Sequence, residues 1–208
     1  MTVPQEKIDS IIAFIRKNEW PMALDYNGIV FIENCNPDGS PKEGTVDEFD
    51  DIALEINFNT GKLVSQHSAT TQYGFVPMND SDNIGGAARI DLGYHHECWI
   101  LGFHKKNPKH PALVQCAPIR ITRDLNRDGK RDGDKEYSGI FGLNIHGALM
   151  KAGPTKAPKK VGGFSRGCLV RQYFTSHLKF IQRLMQSKRA IGDKRARFSA
   201  YVINANQL

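Results

Sequence analysis

Apolar residues follow two rhythms along this chain, and the change of rhythm divides it. Isoleucines stand at 8, 11, 12 and 15, the three-and-four spacing of one helix face, with Glu6, Lys7, Asp9 and Arg16 around the rest of the turn. This spacing predicts an amphipathic N-terminal helix that stops before Pro21. From Ile29 onward short runs of strand length replace it: 29-IVFI-32, 52-IALEINF-58, 62-KLVSQHSATT-71, 96-HECWILGF-103, 112-ALVQCA-117, 119-IRITR-123, 139-GIFGLNIH-146 and 198-FSAYVIN-204. The triplet 59-NTG-61 reads as a hairpin turn, and 35-CNPDGSPKEGTVDEFDD-51 as a loop. Helical spacing returns at 175–188, where Leu178, Ile181, Leu184 and Met185 form an apolar stripe and Thr175 or Ser176 stands at the N-cap position.

Many short strands with few helices predict a mainly β fold with flanking helices: an N-terminal helix over 1–22, then a single β-rich domain over 23–208 that carries the late C-terminal helix. No internal repeat or linker interrupts it. The 208 residues, 40% hydrophobic and 24% charged, suffice for one substantial core.

Composition removes several classes of function. No apolar run approaches the ~20 residues of a membrane-spanning helix, so no membrane span is expected. The net charge of +6 gathers in 188-KRAIGDKRAR-197 and in the lysines after Ala148. Zinc-finger spacing and interleaved basic and aromatic residues are missing, so no nucleic-acid partner is expected, and an anionic polymer such as a cell wall suits the charge equally well. The N-terminus has neither the basic start nor the continuous apolar core of a secretory signal. The expectation is a protein made in the cytoplasm that reaches any outside substrate by another route, as a virion-associated protein or a delivered effector would. Oligomeric state is not legible.

Four cysteines at 35, 98, 116 and 168 have no CxxC and no regular spacing, which excludes a zinc ribbon or a disulfide framework. Cys98 and Cys116 sit in apolar runs and read as buried thiols, whereas Cys168 follows a glycine in a turn. The pair His95 and His96 face opposite sides of a strand, and His104 and His110 flank a Lys/Pro turn that reads as solvent-exposed. No HExxH motif exists for a zinc peptidase.

In 124-DLNRDGKRDGDKE-136, Asp124, Asn126, Asp128 and Asp132 take alternate positions of a calcium-loop pattern, with Gly129 at the sharp turn. Lys135 stands where an EF-hand needs a bidentate Glu, and the flanks are strands. A structural calcium is one reading, and a solvated Asp/Asn/Gly turn is the other. No other cofactor is required.

The stretch 144-NIHGALMKAGPTKAPKKVGGFSRGCLV-170 carries the candidate chemistry. A nucleophilic thiol needs a base or a positive neighbour. His146 ends a strand, and the adjoining Gly147 carbonyl can accept its Nδ1–H and set the tautomer. Gly167 permits the backbone that exposes Cys168, the turn's N–H groups suit an oxyanion, and Arg166 adds positive charge. The basic spacer 148–164 reads as a solvated loop or as a lid whose Lys151, Lys156, Lys159 and Lys160 attract carboxylates.

The pattern 145-IHG-147 followed by 165-SRGCLVR-171 resembles the signature of the L,D-transpeptidase (YkuD-like) catalytic domain family, over roughly residues 60–171. The resemblance implies a β-rich cradle and a cysteine acyl-enzyme formed on peptidoglycan stem peptides, resolved by an amine (transpeptidase) or by water (peptidase). It makes Cys168 the nucleophile, His146 the base and Gly147 the carbonyl that orients it, with Ser165, Arg166, Gly167 and Arg171 around the substrate or oxyanion. Three features depart from the family pattern: eighteen residues separate His146 from Ser165, Arg166 replaces a second His, and the following Arg is displaced by one, at Arg171. A non-catalytic wall-binding or virion module with a vestigial site, and an unrelated cysteine hydrolase, are the competing readings.

Overall fold

A computed structural model describes residues 2–75, 86–104, 110–131, 134–150 and 153–208. The described chain is mainly β. It opens with α1 (Gln5–Lys17) and continues through β1 (Gly28–Glu33), β2 (Asp51–Asn57), β3 (Lys62–Thr70), β4 (Ala87–Ile90), β5 (Gly93–Phe103), β6 (Pro111–Gln115), β7 (Ile119–Asp124), β8 (Lys135–Gly139), β9 (Ile145–Gly147) and β10 (Leu169–Arg171). Two helices, α2 (Phe174–Met185) and α3 (Lys188–Gly192), precede the last strand, β11 (Arg197–Asn204). Eight strands close a barrel in the order β1-β11-β5-β6-β9-β10-β3-β2, and β4-β7-β8 form a separate three-stranded sheet.

The two apolar rhythms become two packing layers. Ile8, Ile11, Ile12 and Ile15 of α1 are buried in one cluster with Val30, Ile32, Leu54, Ile56, Tyr201 and Ile203, alternate residues of β1, β2 and β11. The intervening residues Ile29, Phe31, Ala53, Ala200 and Val202 join Trp99, Leu113, Ile145, Leu169, Phe180 and Leu184 in the main core. Strand β1 is therefore buried along its whole length, because one face meets the barrel interior and the other meets α1. The 59-NTG-61 turn forms as expected, with Gly61 N–H donating to the Asn57 carbonyl at 2.8 Å.

Several expectations need correction. Helix α2 starts at Phe174 behind Tyr173, with no side-chain cap, so Thr175 and Ser176 lie inside it. Its buried face is Phe174, Ser176, His177, Phe180, Ile181 and Leu184, and Met185 is exposed. The helix turns its aromatic and histidine side toward β6, β9 and β10, so the barrel chose a face that side-chain apolarity alone did not mark. Strands β4, β8 and β10 were not predicted. Strand β8 is polar and mostly exposed, and β10 is only three residues long. No described helix is long and apolar enough to cross a membrane.

Candidate active site

Strands β9 and β10 lie side by side and parallel, with Leu169 opposite Ile145, Val170 opposite His146 and Arg171 opposite Gly147. Alternation along a strand then sorts the signature residues. His146 and Val170 share one face, and continuing the register puts Asn144 and Cys168 on that face too. Gly147 and Arg171 share the other. A spacer of eighteen residues thus returns the chain so that His146 and Cys168 are diagonal neighbours on one face.

Cys168 is held at the start of β10. The Asn144 backbone N–H donates to its Sγ at 3.4 Å, and the Leu169 N–H returns to the Asn144 carbonyl at 3.1 Å. The turn before it is knotted by Ser165, which is wholly buried. The Ser165 hydroxyl donates to the Cys168 carbonyl at 2.9 Å and accepts the Gly167 N–H at 3.2 Å, and the Ser165 carbonyl accepts the Gly74 N–H at 3.1 Å. Ser165 therefore shapes the turn, and the Gly167 N–H is engaged within it. Gly167 has φ +113°, a left-handed value that favours glycine. Arg166 is exposed at the tip of the turn.

His146 is 2% exposed. Its Nδ1 meets the Gly147 carbonyl at 3.1 Å, as the sequence suggested, and its buried Nε2 has no hydrogen-bond partner among the described residues. Burial above all, and then the neighbouring His104, hold the imidazole well below its usual range, so it is neutral near pH 7. Gly147 is needed for another reason as well: a Cβ there would stand 2.8 Å from the His177 Cβ, so only glycine lets α2 approach β9 this closely.

The expectation that His104 and His110 are exposed is overturned. His110 is buried and donates from Nε2 to the Gly147 carbonyl at 2.9 Å. The His104 ring stacks on His146 with centroids 3.9 Å apart and planes 20° apart. His110 meets His146 edge-on at 5.4 Å, and His177 on α2 is fully buried with its Nε2 on the Pro111 carbonyl at 2.9 Å. The Lys/Pro stretch between His104 and His110 signalled a surface turn, but antiparallel pairing of β9 with β6 draws both its ends onto His146. A tally of histidines near one strand end was the only sequence signal available.

Arg171 is not placed to meet a substrate at Cys168. It lies on the opposite face, fully buried, with its guanidinium 4.1 Å from the Phe180 ring centre and 3.6 Å from Glu55 Oε1. Burial lowers it to about 10. Glu55, itself buried, takes a second arginine, as Arg183 Nε donates to its Oε2 at 2.8 Å.

In the acidic loop Asp124 is buried and already bonded. Its Oδ2 accepts the Tyr73 hydroxyl and the Gly129 N–H at 3.0 Å, and its Oδ1 accepts the Asp128 N–H at 3.2 Å. Asn126 donates to Asp128 at 2.9 Å, and both are exposed. The Lys130 carbonyl, the oxygen a calcium loop turns toward its ion, accepts from the buried Arg89 at 2.8 Å. Asp124 would have to release Tyr73 and two N–H groups to ligate an ion. Asp132 lies outside the described residues, and among those described no group of three or more His, Cys, Asp or Glu is placed to hold a metal.

The spacer is pinned where it is described. Val161 N–H donates to the Asp47 carbonyl at 3.0 Å, Gly162 N–H to Asp47 Oδ1 at 2.5 Å, and Gln172 Nε2 to the Pro158 carbonyl at 2.9 Å. Lys160 pairs with Glu48, Lys156 and Lys159 are exposed, and Lys151 lies outside the described residues. The remaining thiols are held away from reactivity by burial, which pushes Cys35 up to about 12 and Cys98 up to about 11. Cys116, expected buried, is partly exposed.

Compared with protein-family models, with curated proteins and with solved structures, the chain finds no match in any of the three.

Proposed function

We propose that this chain is a cysteine acyl-transfer enzyme of the L,D-transpeptidase type, acting on peptidoglycan stem peptides. The observation that carries the reading is the parallel β9–β10 register. It sets Cys168 and a neutral His146 on one face, with the Asn144 N–H on the sulfur and the His146 Nε2 lone pair without a partner among the described residues. In this reading the Cys168 thiol gives its proton to His146 Nε2, and the thiolate attacks a stem-peptide carbonyl carbon. The C–N bond breaks as His146 returns the proton to the leaving amine, leaving a thioester. An acceptor amine or water then attacks the thioester and regenerates the thiol. The basic surface around the spacer suits the carboxylates of such a substrate.

Mass spectrometry of muropeptides incubated with the protein and with a Cys168→Ala variant tests this. Cleaved or cross-linked species that form only with the unmodified protein are expected, and their masses separate hydrolysis from transfer. Identical digests from both proteins would remove the proposal. One observation favours the second reading, a non-catalytic wall-binding module: Cys168 is only 6% exposed. A Cys168 that alkylates no faster at neutral pH than an ordinary buried thiol would select that reading.

A further inference from the structure

The hydrogen-bond network around His146 fixes three proton positions. The Gln115 backbone N–H donates to Asn144 Oδ1 at 3.0 Å, which orients that amide. Asn144 Nδ2 then faces His104 Nδ1 at 3.1 Å and must donate to it, so His104 Nδ1 carries the lone pair. His146 Nδ1 faces a carbonyl, which only accepts, so its proton sits on Nδ1 and its lone pair on Nε2. The same carbonyl, that of Gly147, also accepts from His110.

A single hydrogen bond to a shared acceptor holds the His146 ring weakly against rotation. What limits it further is the flat contact with His104, 3.9 Å between centroids. His104 is in turn held by Asn144, the residue whose backbone N–H lies on Cys168 Sγ. Asn144 therefore connects the thiol to the ring that backs the base.

We propose that His104 is a positioning residue for His146: anchored by Asn144 and stacked on the imidazole, it fixes the ring plane and the Nδ1–H tautomer that leaves Nε2 as the acceptor for Cys168. The inference rests on the reading of Cys168 and His146 as nucleophile and base. Its ring-tautomer readout does not depend on any wall substrate.

The test uses the full chain as His104→Ala, His104→Phe and His146→Ala variants. Ring nitrogen shifts of His146 are read by NMR, and alkylation of the Cys168 peptide by iodoacetamide is followed against pH by mass spectrometry. The unmodified protein is expected to show one Nδ1–H tautomer. His104→Phe, which keeps a flat ring, is expected to retain that tautomer and an alkylation profile within about threefold. His104→Ala is expected to mix tautomers and to slow Cys168 alkylation at neutral pH by roughly 10- to 100-fold, as misplacement of a reacting group does. His104→Leu, with bulk but no ring, replaces the alanine variant should that variant fail to fold. A single Nδ1–H tautomer and an unchanged alkylation profile in the ringless variant would overturn the proposal. If His146→Ala leaves the Cys168 profile unaltered, it is the acyl-transfer reading that fails, and the tautomers of the His104 variants still decide the positioning role.

Discussion

A Cβ atom added to Gly167 would stand 2.5 Å from the carbonyl oxygen of Ala88 on β4. The three-stranded sheet thus touches the backbone of the turn that presents Cys168, at the one residue of that turn whose φ is +113°. Gly167→Ala meets both a strained backbone and a backbone oxygen that has little room to move. A loss of roughly 2–4 kcal/mol is expected from the two together, measured by urea unfolding. Stability within 0.5 kcal/mol of the unmodified protein would mean that the turn and β4 are not in contact in solution.

Removing Glu55 should cost more than removing Arg171. Without Glu55 the buried Arg171 guanidinium, whose nitrogens have no hydrogen-bond partner among the described residues, is left without its countercharge, and ~3–5 kcal/mol is expected to be lost in Glu55→Ala. Arg171→Met keeps the contact with Phe180 and leaves Glu55 with Arg183, so a change of at most ~1–2 kcal/mol is expected. Equal losses in the two variants would refute the arrangement.

Acid should unfold this protein early. His95 and His67 are lowered to about 4 and His177 to about 3, each by burial first, and His146 is lowered as well. A folded-state pKa below the unfolded value means that the unfolded chain binds more protons below pH 6.5. The stability contributed by these neutral imidazoles is therefore present above 6.5 and lost as pH falls toward 4 and 3. For His95 alone the shift corresponds to roughly 3 kcal/mol. Melting temperature against pH checks the slope, and His95→Phe is expected to flatten it.

Asp51 works in the opposite direction. Burial first, and then the charge of Glu33, raise it to about 7, and the Thr71 hydroxyl bridges the two side chains. An acid raised above its unfolded pKa near 4 stays protonated in the fold while the unfolded chain ionises. Stability is thereby lost as pH rises from about 4 to 7. Asp51 thus offsets part of the histidine slope, and Asp51→Asn is expected to steepen the acid arm of the melting profile. An unchanged profile would show that Asp51 is ionised in the fold.

Tyr73→Phe removes the hydroxyl that donates to the buried Asp124. The carboxylate keeps its two backbone donors, so a loss of about 1–3 kcal/mol is expected in thermal or urea unfolding. A neutral result would place the Asp124 loop outside the cooperative fold.

Much of the architecture was legible where one residue type repeats with one period. The four isoleucines of α1 and the short apolar runs of β1, β2 and β11 required no partner to be read, because burial of one helix face, or of both faces of a strand, marks the residues locally. Strand β8 escaped because its burial is slight, and β10 because three residues carry no period at all. Met185 had the right spacing for the core and is exposed, since the barrel receives the helix on its Phe174, His177 and Phe180 side.

For the candidate site, the sequence by itself determined the reactive residue types, the glycine before Cys168 and the carbonyl beside His146, all of which are local in the chain. Tertiary structure decided everything that depends on which strands are neighbours. It put Cys168 and His146 on one face and Arg171 on the other, turned Ser165 inward, and brought His104 and His110 onto the imidazole. The physical reason is that a strand's two faces are distinguished only by its partners. A side chain's place in or out of the site is set by a pairing register that no single run of residues encodes.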